Sequence, residues 1–226
     1  MEETYKIYLG DCLEVMDRLI EQGITVDMIL TDPPYGINFQ SNHRKEKYDL
    51  LKNDNNLEFL GEFFKKCNKI MKDNTHIYCF CSWHKVDKFK IEFEKYFKLK
   101  NIIVWEKNNT SMGDLKGSYA PKHEFILFGH KGRRERVGKR LPDVLQAKIT
   151  GNVFHPTQKP IELLTIFTEQ STNEDDIVFD GFMGSGSTGV ACMNTNRKFI
   201  GIELDEKYFN IAKQRIEEAQ EQFKFI

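Results

Sequence analysis

Short apolar segments alternate with amphipathic ones along almost the whole chain, and this alternation constrains the fold more than any other feature. Strands are predicted at Lys6–Leu9, Met28–Thr31, His76–Phe80, Ile102–Trp105, Glu124–Phe128, Ile177–Phe179 and Phe199–Ile202. Helical periodicity fills most of the gaps, at Cys12–Glu21, Leu57–Met71, Lys85–Tyr96, Pro160–Glu169, Gly186–Asn194 and Lys207–Phe223. Strands separated by helices pair side by side in one direction, so the expected fold is α/β, a mostly parallel sheet covered by helices. Between Trp105 and Phe128 the chain is too short for a crossover helix, which predicts an antiparallel pair near one sheet edge. Two segments break the pattern and read as irregular loops: the polar Gly36–Asn56 and the basic stretch after Phe128. Long loops on a compact domain tend to carry function.

With 226 residues, 40% of them hydrophobic and 30% charged, the chain suits one folded domain over residues 1–226, and neither disorder nor a solenoid. The start lacks a basic segment followed by an apolar core, and no apolar run approaches the roughly 20 residues of a membrane span, so a cytoplasmic protein is expected. The five cysteines, an odd number, read as reduced thiols. His76, Cys79, Cys81 and His84 superficially resemble metal-ligand pairs, but His76 and Cys79 would point to opposite faces of a strand, so no metal site is expected. The net charge of -1 conceals a local excess: from Gly129 to Lys148, Lys131, Arg133, Arg134, Arg136, Lys139, Arg140 and Lys148 face only Glu135 and Asp143. Such a run is either a solvated loop or a nucleic-acid contact, and its neighbours must decide.

Asp32-Pro33-Pro34-Tyr35 directly follows an apolar strand, which puts it at the carboxyl edge of the sheet, where open α/β sheets bind ligands. Two prolines stiffen the backbone and remove two N–H groups, leaving carbonyl acceptors without competing donors. Such a cluster suits an aromatic amine, a poor nucleophile because its lone pair is delocalised into the ring. Hydrogen bonds from the amine to the Asp32 carboxylate and the Pro33 carbonyl would favour a tetrahedral nitrogen as positive charge develops on it. Tyr35 would offer a flat face on which a base extruded from a duplex can stack. For Pro-Pro alone an ordinary turn would suffice; the whole tetrad at a strand end is more specific.

Asp180-Gly181-Phe182-Met183-Gly184-Ser185-Gly186-Ser187-Thr188-Gly189 follows another strand and opens a helix. Glycines admit close approach of a ligand, and a helix start offers free N–H groups. Glu203, at the tip of the next strand, is placed to accept hydrogen bonds from ribose hydroxyls. Gly184, Gly186 and Gly189 also match the dinucleotide fingerprint, so a nicotinamide or flavin cofactor competes on this evidence. His155-Pro156-Thr157-Gln158-Lys159-Pro160 could hold the charged end of a cofactor or simply lead into a helix, and Asp11 in Gly10-Asp11-Cys12 could be a helix cap.

Taken together, these motifs resemble the β-group of DNA amino-methyltransferases, the circularly permuted N6-adenine and N4-cytosine enzymes. The match runs from Gly10-Asp11-Cys12 through the tetrad, Trp105-Glu106-Lys107-Asn108, His123-Glu124 and His155–Pro160 to the glycine loop, nearly the whole chain. The order, tetrad before glycine loop, is that of the permuted group. The resemblance implies a Rossmann-like sheet of seven mostly parallel strands with one antiparallel, S-adenosylmethionine as cofactor and double-stranded DNA as substrate. It implies Asp32, Pro33, Pro34 and Tyr35 as the catalytic set. It implies a cofactor pocket from Asp11, Cys12, Asp32, Thr157, Lys159, Asp180, Phe182, Gly184, Ser185, Gly186, Ser187, Thr188 and Glu203. Residues 129–154 occupy the family's target-recognition position, which assigns Arg133, Arg134, Arg136, Lys139 and Arg140 to DNA. Relatives that dimerise, or accompany a restriction endonuclease, make those the expected protein partners. Gly181 stands where the family usually has proline, and the recognition segment is short.

Three readings compete with N6-adenine methylation. N4 of cytosine shares the chemistry, although Asp at the first tetrad position goes mostly with adenine. A dinucleotide oxidoreductase leaves the Asp32 tetrad unexplained and would place its glycine loop early in the chain. A DNA-binding protein that has lost catalysis fits poorly with intact Asp32 and Tyr35.

Overall fold

A computed structural model describes residues 4–36, 57–110, 115–149 and 158–223. Thr157, residues 37–56 of the polar loop and residues 150–154 of the segment expected to recognise the target lie outside the described residues.

In chain order the elements are β1 (Tyr5–Leu9), α1 (Cys12–Glu21), β2 (Val26–Thr31), α2 (Phe59–Ile70), β3 (Met71–Cys81), α3 (Val86–Glu94), β4 (Lys98–Lys107), β5 (His123–Lys131), β6 (Val144–Ala147), α4 (Ile161–Ser171), β7 (Ile177–Asp180), α5 (Ser187–Met193), β8 (Lys198–Glu203) and α6 (Glu206–Phe223). They form one eight-stranded sheet in the order β1-β8-β7-β2-β3-β5-β4-β6. Every pairing is parallel except those of β5, which runs antiparallel to β3 and β4. The seven expected strands are all present, and the expected antiparallel pair is β4–β5.

The eighth strand, β6, falls in the stretch read as an irregular loop. It has four residues, of which only Ala147 is buried. Four residues at a sheet edge give too short a period-two pattern to stand out among charged neighbours. β3 also begins earlier than expected, at Met71, where the predicted second helix was to end.

β2 and β3 are inner strands, and their alternate side chains enter two separate cores. Ile29, Ile77, Cys79 and Cys81 pack with α1, α2 and α3 through Met16, Phe63, Phe64 and Phe89. Met28, Leu30, Tyr78 and Phe80 pack on the other face with α4, α5 and α6 through Leu163, Phe167, Ala191 and Ala212. Burial on both faces is why Met28–Leu30 of β2 and Ile77–Cys81 of β3 read as unbroken apolar runs. His76 bonds Ser171 on the second face while Cys79 belongs to the first core, so the two do diverge. All five cysteines are free and buried. No helix among the described residues is long and apolar enough to cross a membrane.

The glycine loop owes its glycines partly to packing. Gly186 has φ +80°, and a Cβ there would lie 2.9 Å from the Cα and Cβ of Ala212 on α6. The loop and α6 therefore meet backbone to backbone. A Cβ at Gly181 would sit 2.9 Å from the Cys12 sulfur, so a bulkier residue there would need Cys12 and Phe63 to move. Gly186→Ala combines left-handed strain with a clash that α6 cannot easily relieve, and should destabilise the fold by about 2 kcal/mol or more. The midpoint and slope of a urea titration measure it; an unchanged midpoint would show that α6 yields freely.

Candidate active site

Parallel pairing brings the carboxyl ends of β1, β8, β7, β2 and β3 to one edge of the sheet. β2 pairs with β7 through Met28–Val178 and Ile29–Phe179, so Asp32 and Asp180 leave adjacent strand tips. The Thr31 hydroxyl donates to Asp180 Oδ1 at 2.9 Å, joining the tetrad to the glycine loop. The two motifs, 149 residues apart in sequence, are therefore neighbours.

Asp180 organises the loop rather than facing outward. Its oxygens accept from Thr31, from the Phe182 amide at 3.0 Å and from the Thr188 hydroxyl at 2.7 Å. Glu203 does the same from β8, accepting from the Gly184 amide at 2.9 Å and the Asp205 amide at 2.8 Å. The Gly10 amide in turn donates to the Glu203 carbonyl, which ties the β1 tip to β8. Asp11 caps α1, with Oδ1 accepting from Leu13 and Glu14, as its local pattern allowed. Cys12 and Phe182 both belong to the core beneath this edge. Arg215, on α6, bonds the Ser185 carbonyl and reaches the Ser185 and Ser187 hydroxyls at 3.1 and 3.4 Å. A lone arginine on a long helix carries no motif, so nothing in the sequence singled it out.

The tetrad itself sits in a charge cluster. Tyr35 donates its hydroxyl to Asp32 Oδ1 at 2.5 Å, and Lys159 donates to Asp32 Oδ2 at 2.5 Å. Lys159 lies 3.2 Å from Glu124, and Lys107 donates to Glu124 at 2.6 Å. Two ammonium groups thus balance two carboxylates, with Lys159 only 6% exposed and lodged against the rings of Tyr35 and Phe80 at 5.7 and 5.0 Å. Lys159 was expected on the carboxylate side of a cofactor; the geometry puts its ammonium on Asp32. Glu124 and Lys107 appeared in the sequence only as parts of matched motifs, and the fold gives them a place.

Burial shapes these charges. It pushes the Asp32 carboxyl above its usual range, with Glu124 adding to it and Lys159 opposing it. Burial also works against ionised Glu124, but Lys159 and Lys107 outweigh it and hold that carboxyl low. The Lys159 ammonium is disfavoured by burial, yet Asp32 and Glu124 together keep its pKa raised. Burial first, then Asp32, pushes the Tyr35 phenol well above its ordinary value, so Tyr35 remains a donor. The result is a rigid, acceptor-rich pocket with an aromatic wall. It suits a group that donates hydrogen bonds and develops positive charge.

The basic stretch does not reach this site as a unit. β5 is antiparallel, so its end at Lys131 lies level with Thr75, while Phe125 lies level with Cys81 beside the tetrad. Arg133, Arg134 and Arg136 therefore emerge at the opposite edge of the sheet from Asp32. Arg134 pairs with Asp176, just ahead of β7, and Arg136 bonds Gln170 on α4. Lys139 and Arg140 follow on the exposed turn before β6. β6 then returns beside β4 and carries Gln146, Ala147 and Lys148 back to the catalytic edge, where Gln146 bonds Glu106 at 2.9 Å.

A family model described as DNA methylase matches residues 26–214. The type II methyltransferase M2.MboI of Moraxella bovis is 30% identical over 96% of this chain and 89% of its own length. The DNA adenine methyltransferase YhdJ of Escherichia coli (strain K12) is 28% identical over 96% of this chain and 84% of its own. The crystal structure of the M1.HpyAVI–SAM complex superposes with a TM-score of 0.75 at 32% identity, covering 93% of this chain and 99% of that one.

Burial raises the Asp180 carboxyl from its ordinary 3.8 to about 6, against the pull of three hydrogen bonds. The folded state therefore binds this proton more tightly than the unfolded chain does. Its stabilising effect is full below pH 3.8 and is lost as pH rises through about 6, a difference of about 3 kcal/mol. Asp180→Asn should flatten stability between about pH 4 and pH 6, read from denaturant midpoints across that window. An unchanged slope would mean that Asp180 stays ionised throughout.

Proposed function

The chain belongs to the N6/N4 family of DNA methylases, and from that premise we propose that it transfers the methyl group of S-adenosylmethionine to N6 of adenine, in a base turned out of double-stranded DNA. The observation that carries the reading is the Asp32–Tyr35 acceptor cluster, held one residue beyond the Thr31–Asp180 bond that joins it to the glycine loop.

The residues at the β7, β8 and β1 tips suit that cofactor. Carboxylates of Asp11 and Glu203 stand at adjoining strand ends as acceptors for ribose hydroxyls and an adenine amine. Phe182 and Cys12 offer apolar surface, while Gly184 and Gly186 keep backbone bare between them. Ser185, Ser187 and Thr188 supply hydroxyls around the loop, and Thr157 belongs to the same set by the resemblance. Bound there, S-adenosylmethionine would supply an electrophilic methyl group.

Asp32 and the Pro33 carbonyl accept from the exocyclic amine and draw its lone pair out of the ring. Tyr35 covers the face of the base, and Pro34 keeps the backbone from shifting. Lys159 favours the ionised form of Asp32 against the burial that opposes it, and Glu124 offers that ammonium a second partner when the amine takes its place. Once methylated, the nitrogen carries a surplus proton, and the raised carboxyl of Asp32 is placed to receive it.

Adenine is favoured by Asp at the first tetrad position and by the likeness to a relative named as a DNA adenine methyltransferase. The type II relative supports a restriction–modification setting. DNA labelled by the protein and labelled S-adenosylmethionine, then digested to nucleosides, should carry the label in N6-methyladenine. Label in N4-methylcytosine would overturn the choice of base. Asp32→Ala should lower the rate on the order of 1,000-fold or more while S-adenosylmethionine, and not NAD, still raises the melting temperature. Transfer at the wild-type rate by that variant would refute the role given to Asp32.

A further inference from the structure

Large apolar side chains exposed among the described residues are not spread evenly. Of the eight, Leu9, Trp83, Leu115, Tyr119 and Leu204 lie at or beyond the catalytic edge, five against Ile91, Val137 and Val144 elsewhere. Trp83 is 47% exposed, two residues past the end of β3 and three ahead of the helix α3, whose Phe89 meets the Tyr35 ring edge-on at 6.2 Å. Its indole stacks on the His84 ring with centroids 3.7 Å apart, and both side chains remain exposed. Tyr119, 98% exposed, stands in the β4–β5 connection at the same edge. An aromatic left open at this edge offers what an unstacked base needs, a flat apolar surface.

Resting on the methylase reading of the same site, we propose that duplex DNA docks on the carboxyl edge of β3, β5, β4 and β6, with Trp83 stacking on a base beside the one that enters the Asp32 pocket. Charge favours this occupant. Lys85 and Lys148 flank the edge with no ion pair among the described residues, whereas Lys107, Lys122 and Lys159 behind them are each paired with a carboxylate, so the unbalanced charge at the rim is positive. The arginines of the basic stretch do not serve this face, because chain direction carries Arg133, Arg134 and Arg136 to the other end of the sheet and two of them are spent on Asp176 and Gln170. The recognition segment contributes instead through its last described residues, Gln146 and Lys148, where β6 reaches the catalytic edge.

The protein has only two tryptophans, and the second, Trp105, is 2% exposed with its N–H on the Ala147 carbonyl. Both indoles emit, but only Trp83 is exposed to a stacking ligand, and the difference between the wild type and Trp83→Phe isolates its contribution. Adding a mixed-sequence DNA duplex should quench the emission of the wild-type protein, and Trp83→Phe should abolish the quench while the affinity for S-adenosylmethionine stays unchanged. Trp83→Ala should weaken duplex binding, by fluorescence anisotropy, on the order of tenfold, and the double variant Arg133→Ala, Arg140→Ala by less. A quench that survives in Trp83→Phe, or binding lost in the arginine variant and intact in Trp83→Ala, would overturn the docking face. Loss of self-association without loss of DNA affinity in Trp83→Ala would overturn it too, by assigning the face to a second copy of the chain. Label transfer to DNA by the wild type, measured beforehand, separates the two ideas: its absence sinks the methylase reading, whereas its presence with an unaffected Trp83→Ala sinks only this one.

Discussion

Parallel pairing of β2 with β7 is the constraint on which the rest depends. Once Met28 lies beside Val178 and Ile29 beside Phe179, the two strands must end level, and the residues that follow them must share one edge. The Thr31–Asp180 hydrogen bond locks that juxtaposition inside a buried layer. An unmade bond there would leave the buried Thr31 hydroxyl without its Asp180 partner and the carboxylate with two donors in place of three, a loss of about 1–3 kcal/mol, so the geometry is enforced as well as permitted. The glycine loop, the Glu203 clamp and the tetrad are all positioned from this seam.

Beside the seam the protein maintains four charges, and burial opposes those of Asp32, Glu124 and Lys159. Asp32, Glu124, Lys107 and Lys159 neutralise one another in a chain of contacts of 2.5–3.2 Å. Such a cluster costs desolvation and does little for stability overall, although removing one member leaves another buried and unpaired. Its retention at a strand edge fits a site where charge is to be redistributed. In the proposed reaction the incoming amine competes for Asp32 with Lys159, and Glu124 keeps that lysine from being stranded.

One antiparallel strand divides the two ends of the molecule. Because β5 runs against its neighbours, the loop before it opens at the catalytic edge and the loop after it opens at the far edge. Basic residues adjacent in sequence thereby take different duties: Arg134 and Arg136 tie down the chain near α4 and β7, while Lys148 returns to the catalytic side along β6. A charge run in sequence is not a charge patch in space.

The layered fold was legible in the sequence because alternation of apolar period and helix-compatible spacing reports burial directly. α1 follows Asp11, its cap, and the doubly buried parts of β2 and β3, Met28–Leu30 and Ile77–Cys81, stand out as continuous apolar runs. The four-residue edge strand β6 has one buried side chain and left no such signature. The tetrad and the glycine loop were recognisable as short local patterns, since their stiffness and bareness are properties of neighbouring residues. What the sequence by itself determined was the set of strands, their helical connections and the chemical character of each motif. Tertiary structure alone decided that Lys159, Glu124 and Lys107 join Asp32, that Arg215 grips the glycine loop, and which basic residues face the catalytic edge. Those are contacts between positions far apart in the chain, set by strand order and direction, and no local pattern of residues encodes which distant side chain will be the neighbour.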